Sequence, residues 1–300
     1  VSSGAQAHGL EVLRAGPGAT VQDLGRPGLA HLGVGRSGAA DVPSLRLANR
    51  LLGNDEGAAA LEVTVGGLAV RCTGGAFVAL TGAPCPLTLD GRAAAPDTVL
   101  WLPDGAELEL GMPTVGLRSY LAVRGGVDVE PVLGSRSRDT LAGLGPEPLT
   151  EGTQLPVGPA PDAEPVVDSA PLAPPTGGEI SLRVRLGPRE DWFAPGAEKA
   201  LLGQAYQVSA DSDRVGARLE GPALERADDD RELPSEGMVL GSLQVPPSGQ
   251  PTIFLADHPV TGGYPVIGVL DPRDVPAAAQ ARPGQSVRFV RAPSAASGSG

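Results

Sequence analysis

The chain of 300 residues contains a single lysine, Lys199, so its positive charge is almost entirely arginine. Any anion would be met by planar, permanently charged guanidinium groups rather than by ammonium point charges. Aromatic residues are scarce at 3%, which leaves core building to Val, Leu and Ala. Two cysteines, Cys72 and Cys85, are too few for a disulfide framework and read as reduced core thiols. No apolar run approaches the roughly 20 residues that span a bilayer. The N-terminal VSSGAQAHG lacks both the basic and the apolar regions of a signal peptide. The expectation is a cytoplasmic protein with no membrane partner. A basic surplus is missing too: a net charge of -12 is wrong for a phosphate-backbone binder, so nucleic acid is not an expected partner.

Familiar chemical motifs are also absent. There is no Gly-rich P-loop ending in Lys-Ser/Thr and no G-x-S-x-G elbow. His8, His31 and His258 show no metal-ligand spacing and no cysteine pairing, so no metal site is expected.

What the chain has in abundance is Gly (43) and Pro (31), which implies frequent turns and few long helices. Short alternating runs such as LEVLRA, LAVRC, AFVALTG, AELELG, RSYLAVRG, ISLRVRL and SVRFVR read as strands. Asp90-Gly91 and Asp104-Gly105 read as hairpin turns. Leu45, Leu47, Ala48, Leu51 and Leu52 fall at helical spacing, with Gly53-Asn54 as a stop. AEKALLG and Val275–Gln280 read as two shorter helical pieces, and 132–145 as a loop with one helical turn. The pattern predicts a mainly β protein of barrel or sandwich type without βαβ alternation. Its organisation is read as a first β domain over 10–178, ending in a Pro/Gly-rich linker (146–178), a second over 179–292, and a mobile tail over 293–300.

Candidate functional residues sit in Gly-rich loops and at strand ends. In the loop 16–41, Gln22, Asp23 and Arg26 read either as a polar wall for a small ligand or as an Asp23–Arg26 pair that shapes the loop. Ser37 and Asp41 flank the start of the clearest helix, where Asp41 suits an N-cap. Glu62 and Thr64 share one face of a strand. Arg124 and Arg136 offer guanidinium forks to a carboxylate or phosphate, or simply face solvent. In SDRVGARLEG, an extended chain would put Arg214, Gly216, Arg218 and Glu220 on one side and Asp213 with the apolar set on the other. Asp213 at a strand end is a candidate acid or base. Further along lie Glu236, then Gln244 and Gln250 around a PPSG turn. In VTGGYP, Thr261, Gly262 and Gly263 permit close backbone approach beside Tyr264, or form a plain turn with Tyr264 packed on Pro265.

Taken together, QDLGRPG, GVGRSGAAD, ANRLLGN, LEVT, YLAVRGGVDV, GSRSRD, SDRVGARLEGP, SEGMVLGSLQVPPSGQP and LADHPVTGGYP are similar, in order and spacing, to the allophanate hydrolase subunit 2 or KipA-type family. The resemblance covers about Leu10 to Ala292. It implies two cyclophilin-like β-barrel domains and a cytoplasmic protein working with a KipI-like (allophanate hydrolase subunit 1) partner and a LamB/YcsF-type subunit. For the 5-oxoprolinase branch it implies ATP-dependent opening of a small lactam, 5-oxoproline, to glutamate, with ATP and Mg in the complex. Asp213, Tyr264 and Glu236 are then the expected catalytic set. Gln22, Asp23, Arg26, Ser37, Arg124, Arg136, Arg214, Arg218, Gln244, Thr261, Gly262 and Gly263 are the expected substrate or phosphate contacts. The same family implies two other readings: a regulator that antagonises a KipI-like histidine-kinase inhibitor, and a biotin-dependent carboxyltransferase component acting on urea or a related amide. The chain carries no biotinyl-lysine, since Lys199 lies in AEKA. Departures from the family pattern fall at Arg36 and His258.

Overall fold

With so few aromatics, apolar area has to be gathered from many small β-branched and aliphatic side chains, and short strands do this two residues at a time. The computed structural model describes residues 8–96, 98–162, 169–170, 174–228 and 231–293. It is mainly β, as the sequence predicts, and its chain divides into two units, Val1–Gly177 and Gly178–Gly300.

The first unit contains two sheets. One orders the strands Gln154–Pro156, Gly9–Arg14, Ala69–Thr73, Glu107–Leu110, Leu87–Leu89 and Arg92–Ala94. The other orders Gly18–Gln22, Ala60–Thr64, Arg118–Val123, Ala76–Gly82 and Val99–Leu102. Every neighbouring pair is antiparallel. Val12, Val70, Cys72 and Leu108 from one sheet and Val21, Val63, Leu80 and Leu121 from the other bury into a single core. Cys72 and Cys85 are free, and burial pushes both thiols up.

The expected helix is present as Val42–Leu51. Asp41 caps it, its carboxylate taking the Ser44 amide at 3.2 Å and the Ser44 hydroxyl at 2.7 Å. Leu45, Leu51 and Leu52 are buried in a second apolar cluster with Tyr120 and Ala122, each leucine contributing roughly 1.5–3 kcal/mol.

The second unit is a closed barrel: Ile180–Leu186, Val266–Leu270, Ser242–Gln244, Thr252–Phe254, Gly216–Glu220, Ala205–Val208 and Ser286–Arg291. The ring closes through the parallel pairing of its first and last strands, Ile180 opposite Val287 through Val184 opposite Arg291. Leu182, Tyr206, Leu219, Leu243, Ile253 and Phe289 are among its buried side chains. The short helices Ala197–Gly203 and Val275–Ala279 match the two helical pieces read from sequence. A separate two-stranded ribbon, Glu236–Gly237 with Thr261–Gly262, completes the unit.

Several local expectations change. Residues 18–22 of the supposed loop are a strand. Asp90-Gly91 is indeed a hairpin, with φ of 50° and 73° joining paired strands. Asp104-Gly105 is not: the strands it joins lie in different sheets, and Gly105 donates instead to the Cys72 carbonyl. The segment 132–145 forms two reverse turns, Val132–Ser135 and Asp139–Leu144, rather than a helical turn. Part of the stretch read as linker belongs to the first unit, with Leu149 and Leu155 buried in its core. Residues 163–168 and 171–173 of that stretch, and 294–300 of the expected tail, lie outside the described residues.

Candidate functional site

In the first unit, Asp23 is the centre of a polar hub. Its Oδ1 accepts from the Gly25 amide (2.7 Å), the Ser135 hydroxyl (2.6 Å) and the Ser137 hydroxyl (2.5 Å), and its Oδ2 accepts from the Arg136 amide at 2.7 Å. Arg26 does not pair with Asp23. Buried, it donates to the carbonyls of Ser137 (2.5 Å) and Val132 (3.3 Å) and lies 4.0 Å from Asp139. Gln22 and Ser37 both donate to the Arg138 carbonyl, at 2.9 and 3.1 Å. The loop can pack this closely only through glycine. A Cβ on Gly25 (φ 79°) would sit 2.4 Å from the Arg36 carbonyl oxygen.

The strand face with Glu62 is equally internal. Glu62 accepts from the Ala40 amide (2.9 Å) and the Tyr120 hydroxyl (2.8 Å), with Arg118 at 3.5 Å. Tyr120 in turn accepts from the Asp41 amide at 2.7 Å. Burial first, and then the charge of Glu62, pushes the Tyr120 hydroxyl well above its ordinary value, so it stays a donor. Arg124 donates to the Leu52 and Pro161 carbonyls, and Arg136 to the Val129 carbonyl and Asp128. These arginines tie loops together.

In the second unit, the strand begins only at Gly216, so the alternation read from Asp213 onward does not hold. Asp213 is exposed and its Oδ1 caps the turn, accepting from the Val215 (2.8 Å) and Gly216 (3.0 Å) amides. That turn swings Arg214 inward, onto Asp257. Arg218 does face outward, where it reaches the Asp211 carbonyl at 3.1 Å.

Glu236, Gln244, Thr261, Gly262 and Tyr264 come together. Glu236 lies opposite Gly262 in the ribbon, and Arg189 grips its carboxylate through both Nε and Nη2. The Arg189 hydrogen bond holds Glu236 below its ordinary carboxylate value. Gln244 donates to the Tyr264 carbonyl at 3.3 Å and lies against the Met238 sulfur at 3.8 Å. A Cβ on Gly262 would meet Gln244 Nε2 at 2.5 Å, so the glycine is what allows that approach. Tyr264 is 45% exposed, with the Arg226 guanidinium 5.8 Å from its ring centroid. Among the described residues no group of three or more His, Cys, Asp or Glu is arranged to hold a metal ion. No helix there is long and apolar enough to cross a membrane. Lys199 lies on the helix Ala197–Gly203.

The sequence model described as the carboxyltransferase domain, subdomain A and B, matches residues 32–291. The chain belongs to this family. It is 40% identical over 285 residues to the 5-oxoprolinase C subunit of Escherichia coli, a match covering 94% of this chain and 91% of that protein. Among solved structures, TTHA0988 is similar with a TM-score of 0.85 at 36% identity; the match covers 95% of this chain and 56% of that one. The K. lactis urea amidolyase matches with a TM-score of 0.90 at 30% identity over 97% of this chain. This chain spans only 19% of that larger protein.

Within the carboxyltransferase-domain fold, the side-chain partners of the candidate residues are what the sequence leaves unread. Asp257, Arg189, Ser135 and Ser137 each complete a residue that the sequence singles out. The Ser-Arg-Ser alternation in GSRSRD is the available signal for the two hydroxyls that reach Asp23.

Proposed function

We propose that the chain is the C subunit of an ATP-dependent 5-oxoprolinase complex that opens 5-oxoproline to glutamate. The observation that carries this is near full-length identity of 40% to a protein of that name. The side chains this unit offers to a small amide are the exposed Asp213 carboxylate and the cluster of Gln244, Thr261 and Tyr264 on the Glu236 ribbon. Opening a lactam adds water to its carbonyl carbon and breaks the C–N bond, so the carbonyl oxygen must be polarised, a proton taken from the water and the departing nitrogen protonated. A carboxylate and a tyrosine hydroxyl are groups that manage such protons.

ATP and Mg are expected of the complex. Arg26, Arg124, Arg136 and Arg214 do not fit a triphosphate, because internal carbonyls or carboxylates engage each of them. We therefore place the nucleotide on a companion protein, of the KipI-like or LamB/YcsF type, and expect activity only in the assembled cytoplasmic complex. The test is reconstitution with those companions, ATP and 5-oxoproline. Glutamate and ADP should form together. Their absence above background would sink the reading.

A second reading has its own support: the family description itself and the urea amidolyase match. On that reading the chain accepts a carboxyl group from biotin carried by another polypeptide. Carboxylation of urea supplied with carboxylated carrier, and no glutamate from 5-oxoproline, would favour it.

A further inference from the structure

Around the ribbon, the guanidinium of Arg189 is spent on Glu236 and that of Arg214 on Asp257. Arg226 is different. It is half-buried, and among the described residues no carboxylate or carbonyl takes a hydrogen bond from it. Its Nε is shut off from solvent with no partner, and its guanidinium lies beside the ring of Tyr264, 5.8 Å from the centroid. A buried donor without an acceptor carries the full desolvation cost of that group. An anion that reached this guanidinium would offset that cost.

Backbone bonds fix where Arg226 stands. It lies opposite Phe193 in an antiparallel bridge. On either side of that bridge the Ala194 amide donates to the Glu225 carbonyl at 2.9 Å and the Ala227 amide to the Trp192 carbonyl at 3.0 Å. The same short segment begins at Arg189, whose amide bonds the Val266 carbonyl at 3.1 Å and whose side chain grips Glu236. Residues 189–193 therefore hold Arg226 at one end and the ribbon of Glu236 and Gly262 at the other. Tyr264, just beyond that ribbon, is where the two meet.

We propose that Arg226 binds the carboxylate of a small acidic lactam and so selects it over neutral amides. The proposal rests on the reading of the chain as a 5-oxoprolinase subunit, whose substrate carries one carboxylate and one amide. A guanidinium beside an aromatic ring keeps its in-plane N–H groups free, and a carboxylate accepts two of them side by side. The exposed Thr261 and Tyr264 then remain for the amide end. Arg189 is already neutralised by Glu236, so Arg226 brings a single charge to Tyr264. That suits a monocarboxylate rather than a polyphosphate.

The experiment uses the complex assembled with its companion proteins and compares the parent with Arg226→Gln and Arg226→Lys. Arg231→Gln is the control for diffuse charge, since the Arg231 guanidinium lies over the Trp192 ring instead, 3.7 Å from its centroid. Arg226→Gln should raise KM for 5-oxoproline about tenfold to a hundredfold, with kcat within about threefold and KM for ATP unchanged. Arg226→Lys should recover part of the loss, and Arg231→Gln should move KM by less than about threefold. γ-Butyrolactam, the same ring without its carboxylate, should inhibit the parent and Arg226→Gln equally, which also shows that the site is intact. A KM for 5-oxoproline within about threefold of the parent overturns the proposal. So does an equal loss of affinity for γ-butyrolactam, a rise confined to ATP, or the same rise in Arg231→Gln. If the parent complex forms no glutamate, the enzymatic reading falls and equilibrium dialysis with labelled 5-oxoproline decides this one. Binding that Arg226→Gln weakens at least about tenfold upholds it; equal binding, or none to the parent, ends it.

Discussion

Arg214 grips Asp257 with both arms of its guanidinium: Nε reaches Oδ2 at 2.9 Å and Nη2 reaches Oδ1 at 3.0 Å, with both residues buried. The backbone closes the same contact, since the Asp257 amide donates to the Arg214 carbonyl at 3.0 Å. The pair thus welds the turn before Gly216–Glu220 to the loop that leads to Thr261 and Tyr264.

Removing either member strands a buried charge. Arg214→Ala or Asp257→Ala should each cost about 3–5 kcal/mol in urea denaturation. The double replacement Arg214→Met/Asp257→Leu should cost less than the sum, because it leaves no orphan. Equal and additive losses would show that the two residues act separately. Arg214→Lys should also lose stability, since an ammonium cannot span both oxygens.

Asp213 separates structure from charge. Asparagine keeps the Oδ1 that accepts from Val215 and Gly216, so Asp213→Asn should hold stability to within about 1 kcal/mol. If the carboxylate moves a proton in the complex, turnover should fall at least about a hundredfold in the same variant. Retained turnover would make Asp213 a turn cap and nothing more. Asp213→Ala should lose the turn as well, and its melting temperature should report that.

The ribbon should respond to acid with a definite sign. Arg189 holds Glu236 below its ordinary value of 4.5. The contact therefore contributes fully above that value and is lost as pH falls through the lower native one. A side-chain carboxyl NMR titration should place Glu236 below 4.5 in the parent and return it toward 4.5 in Arg189→Gln. No difference between the two would deny the pairing.

The hub of the first unit can be tested at Asp23. Asp23→Asn weakens charge-assisted bonds from two serine hydroxyls and two amides. A loss of about 1.5–3 kcal/mol in denaturant unfolding is expected. The slope against denaturant should not change. Stability unaffected by the substitution would mean that the loop is held by Arg26 alone.

What the sequence disclosed was local. The helix Val42–Leu51 followed from its leucine spacing and Asp41 cap, and the pairing of Ser242–Gln244 with Thr252–Phe254 followed from the PPSG turn between alternating runs. The candidate positions were picked out as polar residues among glycines. Their partners were not, because Arg214 and Asp257 are 43 residues apart and Asp23 and Ser137 are 114 apart. Turn chemistry states that the chain reverses, not which strand it meets next. Asp104-Gly105 shows this by passing the chain between sheets. One capped turn at Asp213 was enough to reverse which neighbour faces inward.

The barrel's seam has a consequence for synthesis. Its first strand, Ile180–Leu186, is hydrogen-bonded to its last, Ser286–Arg291. During translation the ring stays open until that last strand leaves the ribosome, with strand edges unpaired for nearly the whole length of the unit. Such edges recruit other edges. Truncation within Ser286–Arg291 should therefore yield aggregation rather than a smaller barrel.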